Sequence, residues 1–179
     1  MQTNVRILVT AFEPFGGSDT NISQRVLDAI QADVAKLLLP VSFRRAPEVL
    51  NEAIGLLQPD VIIAMGQAAE GDKIRLERLA INMMDSAKGD NDGYLPDEEL
   101  ICPEAPLALK TTLPVKPLCA DCINAGLPTM VSNSAGLYVC NRIYFEALRH
   151  TTNSLFVHIP KNMDVETAKQ TINQLIKCF

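Results

Sequence analysis

The sequence lacks the features of two large classes of binding protein. It has no basic block longer than Arg44-Arg45, and its 16 basic and 21 acidic residues give a formal net charge of −5. Nucleic-acid binding therefore has no electrostatic support, because a phosphate backbone attracts clustered lysine and arginine. No apolar run approaches the roughly 18 residues that a membrane-spanning helix requires, so we expect no membrane partner either.

Cysteine occurs in an odd number, five residues in a chain of 179. A chain of this size does not need disulfides, because its hydrophobic fraction of 47% is enough for a sizeable core. The first residues, Met1-Gln2-Thr3-Asn4, lack the charged segment and cleavage site of a secretory leader. These observations predict reduced thiols in a cytoplasmic protein that forms one domain over residues 1–179.

Histidine is scarce, and the two histidines have different surroundings. His150 follows Arg149 at the polar end of a predicted helix, where a cation suits the helix C-terminus. His158 comes late in an apolar run, Leu155 to Ile159, that is typical of a buried strand. Active sites of open α/β sheets lie outside the carboxyl ends of the strands, so His158 is the candidate catalytic base.

Cys140 is the candidate nucleophile. It follows a turn of small residues, Ser132 to Gly136, and lies in the opening turn of the next predicted helix. Helix amides and a nearby imidazolium both favour a thiolate, so a cysteine pKa of about 8.5 can fall to roughly 3.5–7.5 in such a position. Cys140 and His158 together therefore predict thiol-based nucleophilic catalysis.

Alternating strands and helices predict a three-layer α/β/α sandwich, in which helices cover both faces of a mixed, mostly parallel, twisted sheet. The apolar patterns place strands at residues 5–12, 60–66, 74–82, 129–132 and 154–159, and helices at residues 21–38, 47–57, 115–125, 137–149 and 165–177. Residues 86–112 are rich in Asp, Gly and Pro and predict a long irregular segment.

Four separated sequence blocks follow one another across nearly the whole chain. They are VTAFEPFGG at residues 9–17 with Asn21 and Ser23, GQA at 66–68 with ERLAIN at 77–82, DNDG at 90–93, and the segments around Cys140 and His158. In order and approximate spacing these blocks resemble pyroglutamyl peptidase I, a family of cysteine peptidases also called pyrrolidone-carboxylate peptidases. Four blocks in one order are far more specific than any single motif.

The resemblance implies a catalytic triad of Cys140 as nucleophile, His158 as general base and Glu77 as the acid that orients the imidazole. These roles are chemically consistent, because a thiolate attacks the acyl carbon and an imidazolium protonates the leaving amine. Without the resemblance, Glu77 on a strand is interpreted as a solvated charge. The family chemistry implies hydrolysis through a thioester, with no cofactor and no metal.

The resemblance further implies a substrate pocket formed by Phe12, Phe15, Asn21, Gln67, Tyr138 and Val139. Taken alone, the aromatic residues favour core packing. The implied partner is a peptide with an N-terminal pyroglutamate, whose flat and uncharged lactam ring suits an apolar slot. A prolyl analogue lacks the lactam carbonyl and would leave buried polar groups unpaired. Self-association into a homo-oligomer, either a dimer or a tetramer, is compatible with the sequence.

The chain departs from the family pattern at Ala87. The family usually has an arginine in this loop, associated with the oxyanion or the substrate. Lys88 is adjacent and Arg142 follows the nucleophile, and both are candidates for a replacement, although lysine lacks the planar fork of arginine. The segments around residues 105–110 and after His158 are also shorter than in most relatives.

Three other interpretations compete with an active peptidase. Gly16-Gly17 after the first strand suggests a nucleotide-binding turn, but the phosphate-binding motifs are not present. Cys119 and Cys122 suggest redox or zinc chemistry, although no second pair or nearby histidine accompanies them. The third is a homologue that binds pyroglutamyl peptides and barely hydrolyses them, because it lacks the loop arginine.

Overall fold

The computed structural model describes residues 5–179. Met1–Asn4, to which the prediction of an absent secretory leader refers, lie outside that range. The elements in chain order are β1 (Ile7–Phe12), α1 (Ile22–Ala29), β2 (Ala35–Leu39), α2 (Arg45–Leu57), β3 (Val61–Ala68), β4 (Ile74–Glu77), β5 (Leu79–Ile81), β6 (Ala108–Lys110), α3 (Val115–Asn124), β7 (Thr129–Ser132), α4 (Val139–His150), β8 (Ser154–Pro160) and α5 (Val165–Ile176).

The main sheet has six strands in the order β2-β1-β3-β8-β4-β7. Four neighbouring strands of this sheet, β2, β1, β3 and β8, are mutually parallel. Strand β4 is antiparallel to β8 and parallel to β7. Helices α1, α3 and α5 pack on one face, and α2 and α4 pack on the other. The predicted three-layer fold with a mixed, mostly parallel sheet is therefore confirmed.

Three predicted segments differ from the structure. The helix predicted over residues 21–38 ends at Ala29, and Ala35–Leu39 instead forms the edge strand β2. The strand predicted over residues 74–82 divides into β4 and β5, and β5 pairs with β6 in a second sheet of two strands. The long segment predicted to be irregular thus contains one short strand. Among the described residues, no helix has the length and apolar character needed to cross a membrane.

The alternation of side chains along β8 determines which face carries the candidate site. Leu155, Val157 and Ile159 enter the core under α1, α3 and α5, whereas Phe156 packs with α2 and α4. Since successive side chains of a strand point to opposite faces, His158 lies on the same face as Phe156. This places the histidine beside α4, the helix whose opening turn contains Cys140.

Candidate active site

The antiparallel pairing of β4 with β8 brings Glu77 next to His158. In this register Arg75 is opposite His158, and Glu77 is opposite Phe156. Residues directly opposite each other in a sheet point to the same face. Glu77 at the end of β4 and His158 near the end of β8 therefore meet on the α4 side.

His158 and Glu77 form a buried hydrogen bond. His158 Nδ1 lies 2.9 Å from Glu77 Oε1, the glutamate side chain is 0% exposed and the histidine side chain is 7% exposed. An ionised carboxylate only accepts hydrogen bonds, so the pair requires a proton on Nδ1. That tautomer leaves Nε2 able to accept a proton. The interpretation of Glu77 as a solvated charge is wrong, because β8, β7 and α4 enclose it.

Gly66 provides the space in which the Cys140 sulfur lies. Gly66 on β3 is opposite His158 on β8. A Cβ atom on Gly66 would lie 2.7 Å from Cys140 Sγ and 2.8 Å from Phe156 Cζ. Such distances are shorter than van der Waals contact, so the sulfur approaches the sheet only because this position has no side chain. The same contact places Sγ beside β3, the strand that pairs with the strand containing His158.

The surroundings of the Cys140 thiol favour its protonated form. Burial raises the pKa of Cys140 to about 12, and the charge of Glu77 acts in the same direction. The amide of Cys140 and the Arg75 cation lower this pKa, but by less. The prediction of a depressed thiol pKa is therefore wrong for the isolated protein, because burial outweighs the helix N-terminus.

A cavity of about 460 Å³ opens over these residues. Cys140 and His158 line it, whereas Glu77 is not among its lining residues and lies behind His158. All six residues of the predicted substrate pocket also line this cavity: Phe12, Phe15, Asn21, Gln67, Tyr138 and Val139. The structure thus brings the sequence-predicted nucleophile, base and pocket residues to one site.

The apolar side of the cavity centres on Tyr138. Its ring centroid is 6.3 Å from that of Phe15 and 5.3 Å from that of Phe43, which meets it edge-on. The Tyr138 hydroxyl donates to the carbonyl oxygen of Gly89 over 3.1 Å. Aromatic contacts therefore fix the tyrosine ring on one side, and the hydroxyl tethers the loop that contains Ala87 and Lys88.

The two predicted polar residues have different roles in the site. Asn21 caps α1, because its side-chain oxygen accepts from the Ser23 amide at 2.9 Å and its Nδ2 donates to the Glu13 carbonyl at 3.0 Å. Gln67 Oε1 accepts from the Ile22 amide at 3.1 Å. The Asn21 amide is thus committed to the scaffold, whereas the Gln67 amide retains its NH₂ group for a ligand.

The structure separates the two candidates for the missing arginine. Lys88 lines the cavity, and its neighbour Ala87 is exposed in the same loop. Arg142 instead donates to Glu146 at 2.6 Å and borders a different cavity beside α2. Burial has the largest single effect on the pKa of Glu146 and raises it, but the hydrogen bonds from Arg142 and Asn51 and the charges of Arg142 and Arg149 together outweigh burial, so the pKa of this carboxyl is lowered. Arg142 is therefore occupied in a buried ion pair away from the nucleophile.

The sequence did not predict the roles of two polar residues that support the site, Asn141 and Asp90. The Asn141 side chain accepts from the Ile81 amide at 2.8 Å and donates to the Met83 carbonyl at 3.0 Å, which fastens the start of α4 to β5. Asp90 accepts from the Phe43 amide at 2.8 Å and the Tyr94 amide at 2.9 Å. Asp90 lies within the recognised block DNDG and Asn141 directly follows Cys140, but neither position indicated these contacts in the sequence.

Arg75 was also missed, since an arginine on a strand resembles an ordinary surface cation. Its Nε lies 3.6 Å from Glu77 Oε1, and its side chain is 36% exposed. The oxygen that contacts Arg75 is the one that binds His158 Nδ1. Arg75 therefore adjoins Glu77 at the same oxygen as His158 and is not among the residues that line the cavity.

The residues behind the competing interpretations lie in other surroundings. His150 Nε2 contacts Asn51 Oδ1 at 2.7 Å on the far end of α4. Cys119 and Cys122 are buried in α3, where Cys119 Sγ lies 3.5 Å from Thr129 Oγ1. Gly16 lines the candidate cavity next to Phe15, with a φ of 63° that suits a glycine turn. None of these residues adds a second reactive group to the cavity.

Comparisons with known proteins agree with this site. The Pyroglutamyl peptidase family model matches residues 5–173. The pyrrolidone-carboxylate peptidase of Thermococcus onnurineus is 42% identical over 98% of this chain and 95% of its own, and that of Thermococcus kodakarensis is 41% identical over 87% and 81%. The solved pyrrolidone carboxyl peptidase from Thermococcus litoralis has a TM-score of 0.92 at 30% identity and covers 97% of this chain and 92% of its own. The chain therefore belongs to the pyroglutamyl peptidase family of cysteine exopeptidases.

Proposed function

We propose that this protein removes N-terminal pyroglutamate from peptides with Cys140 as nucleophile, His158 as general base and acid, and Glu77 as the orienting acid. The observation that carries this assignment is the 2.9 Å hydrogen bond between His158 and the fully buried Glu77, behind the cavity that Cys140 lines. A cysteine and a histidine in one cavity have many uses. A buried carboxylate that fixes the histidine tautomer provides the orientation that acid–base catalysis requires.

Acylation begins with transfer of the thiol proton to His158 Nε2. The thiolate attacks the pyroglutamyl carbonyl carbon, the C–N bond of the peptide breaks, and the imidazolium protonates the leaving amine. The product of this step is a thioester of Cys140 and a shortened peptide. His158 then takes a proton from water, the resulting hydroxide attacks the thioester, and free pyroglutamate leaves with the thiol restored.

The start of α4 supplies donors for the developing oxyanion. Tyr138 is the N-cap residue and makes no side-chain hydrogen bond to the helix. The first amides of a helix have no intrahelical acceptor, so those of Val139 and Cys140 remain available for a carbonyl oxygen. Oriented amides in a dry site stabilise the tetrahedral intermediate strongly, and loss of one such donor costs about 10²–10³ in rate.

The cavity suits an uncharged lactam. Phe12, Phe15 and Tyr138 offer apolar faces to its flat ring, while the free NH₂ group of Gln67 is a donor for the lactam carbonyl. The charged side chains among the lining residues are Lys88 and Lys161, at the exposed rim. A free N-terminal ammonium would lack a counter-charge here, which supports selection of a blocked N-terminus over an ordinary one.

The test compares a chromogenic pyroglutamyl amide with the matching prolyl amide under identical conditions. We expect hydrolysis of the pyroglutamyl amide and at least about 10⁴-fold lower kcat/KM for the prolyl amide, because the lactam carbonyl is missing. Comparable hydrolysis of both amides contradicts this assignment of the pocket. Binding of a pyroglutamyl peptide by calorimetry without turnover supports the alternative, a binding homologue limited by the loss of the arginine at Ala87.

Two sequence-based expectations about the protein's setting remain predictions. The odd number of cysteines favours reduced thiols, and reduced thiols favour a cytoplasmic location. Self-association as a dimer or tetramer can be measured by sedimentation at micromolar concentration.

A further inference from the structure

Glu77 is a costly residue to bury. Its side chain is 0% exposed. Its Oε1 atom binds His158, and its Oε2 atom has no hydrogen-bond partner among the described residues. A buried carboxylate usually needs several donors to remain ionised, since the charged form loses its hydration. One imidazole hydrogen bond is a weak compensation for a group that must stay anionic throughout the reaction.

The titratable groups around Glu77 come from β4, β8 and α4. They are Arg75, His158, Cys140 and Tyr144, whose hydroxyl donates to the Glu77 carbonyl at 2.9 Å. Burial raises the pKa of the Cys140 thiol and of the Tyr144 hydroxyl, so the neutral form of both groups is favoured before substrate binds. Within this described set, Arg75 is the member with a permanent positive charge.

The sheet register holds Arg75 in place. It is directly opposite His158 on β8, two residues before Glu77 on β4, and therefore on the same face as both. Its Nε lies 3.6 Å from Glu77 Oε1, which is an ion-pair distance and too long for a good hydrogen bond. The interaction is thus mainly one of charge and does not use the planar fork of the guanidinium.

We propose that Arg75 is a positioning residue of the triad, whose charge keeps Glu77 ionised so that Glu77 can hold the Nδ1–H tautomer of His158. This proposal rests on the proposed function only in its kinetic test, which requires peptidase activity. Arg75 is not among the residues that line the cavity, so its effect on the reaction passes through Glu77. The same cation also lowers the pKa of the Cys140 thiol, as its position beside the cluster requires.

Removal of the cation makes proton uptake by the cluster easier. In Arg75→Met the acid limb of the kcat/KM profile should move to higher pH by about half a unit or more, since opposite charges at this distance shift proton affinity by about 1–3 units and partial exposure reduces this. At a pH on that limb, kcat should fall roughly threefold or more with little change in KM. Arg75→Lys should restore the limb towards the native pH, because a point charge suffices where no bidentate contact exists.

Arg78→Met is the matched control. Arg78 follows Glu77 on the chain, is similarly half-buried and lines a separate cavity beside α3. It should leave the acid limb where it is. An Arg75→Met profile that coincides with that of Arg78→Met would overturn the proposal, whatever the loss in stability of either variant.

A second readout does not depend on peptidase activity. The rate of Cys140 alkylation by iodoacetamide, followed by mass spectrometry, should be lower at each pH in Arg75→Met than in Arg75→Lys, because loss of the cation disfavours the thiolate. Equal alkylation rates in the two variants would contradict the proposal even if the wild type fails to cleave a pyroglutamyl amide. Failure of the wild-type cleavage with a clear alkylation difference would count against the proposed function and leave Arg75 as the charge partner of Glu77.

Discussion

Gly66 and Cys140 lie so close together that a Cβ atom on the glycine would be 2.7 Å from the cysteine sulfur. The glycine is on β3, and the cysteine is in the first turn of α4, so the contact joins the sheet to the helix at the nucleophile. His158 is the neighbour of Gly66 across the sheet. The space at Gly66 therefore allows the sulfur to lie close to the sheet at the position that His158 adjoins.

Gly66→Ala should displace the sulfur and the Phe156 ring together. We expect a loss of about 1–3 kcal/mol in stability from overpacking and a loss of about 10²-fold in kcat, because small displacements of a reacting atom are costly. Gly55→Ala is the control, since Gly55 lies in α2 and its added Cβ would meet nothing within 4 Å. Native kcat in Gly66→Ala, with Gly55→Ala also native, would show that the sulfur does not depend on this space.

Substitution of the triad partners should give a ranked loss of activity. His158→Ala should lose about 10³-fold or more in kcat, since the described residues that line the cavity include no second histidine and no carboxylate. Glu77→Gln should retain a larger fraction, because the amide can still accept from Nδ1–H although it carries no charge. Steady-state kinetics at saturating pyroglutamyl amide measures both.

His150→Ala is the control for that ranking. His150 contacts Asn51 at the opposite end of α4, so the variant should be near neutral for turnover. A His150 variant as inactive as the His158 variant would assign the base to the wrong histidine. Equal losses for His158→Ala and Glu77→Gln would remove the distinction between base and orienting acid.

The loop that departs from the family pattern should respond to charge. Ala87→Arg should raise kcat more than it lowers KM, by up to roughly 10²-fold if the oxyanion donor is otherwise missing. Lys88 lines the cavity from the same loop. If it already supplies this contact, Ala87→Arg should have little effect and Lys88→Ala should lower kcat.

Arg142→Ala tests whether Arg142 supplies the oxyanion contact or only stabilises the fold. Arg142 pairs with Glu146 at 2.6 Å, and its removal leaves this largely buried carboxylate with weaker partners, the Asn51 amide at 3.2 Å and Arg149 at 3.8 Å. We expect a lower unfolding free energy in urea and a nearly native kcat. No change of turnover in any of Ala87→Arg, Lys88→Ala and Arg142→Ala would exclude a cation of this loop from the mechanism.

Buried thiols should make the protein sensitive to alkali. Burial raises the pKa of Cys122 from 9.0 to about 11, and that of Cys140 from 9.0 to about 12. The native state then retains protons that the unfolded state loses above pH about 9, so the unfolding free energy falls as pH rises through this range. Cys122→Ala should be less stable than wild type at pH 7 but should lose less between pH 8 and 10, by urea unfolding. Parallel declines in the two proteins would contradict this origin of the pH dependence.

Much of the fold follows from apolar patterns, but local ambiguity remained in two places. Residues 35–39, Ala-Lys-Leu-Leu-Leu, fit a helix as well as a strand, and no glycine or proline separates them from α1. They form an edge strand because pairing with β1 buries Leu39. Arg78 divides the predicted strand after Glu77, since only the later residues have a partner in β6.

Site residues whose chemistry is specific to their residue type could be predicted from the sequence. Those whose role depends on the geometry of the fold could not. Cys140 and His158 were visible from local context, whereas Glu77 needed the resemblance, because burial of a carboxylate depends on the register of β4 against β8. Arg75 needed the same register and had no sequence signal. The depressed pKa predicted for Cys140 failed because burial is a property of the assembled fold and outweighs the helix terminus.

The most direct test of the account is hydrolysis of a pyroglutamyl amide by Cys140→Ala, measured beside Cys178→Ala and the wild type. Cys178 is an exposed thiol near the C-terminus and is the control for loss of a cysteine away from the cavity. We predict that Cys140→Ala has no activity above background, that Cys178→Ala is near native, and that iodoacetamide but not EDTA abolishes wild-type turnover. Full activity in Cys140→Ala, or in wild type completely alkylated at Cys140, would contradict the cysteine-peptidase mechanism.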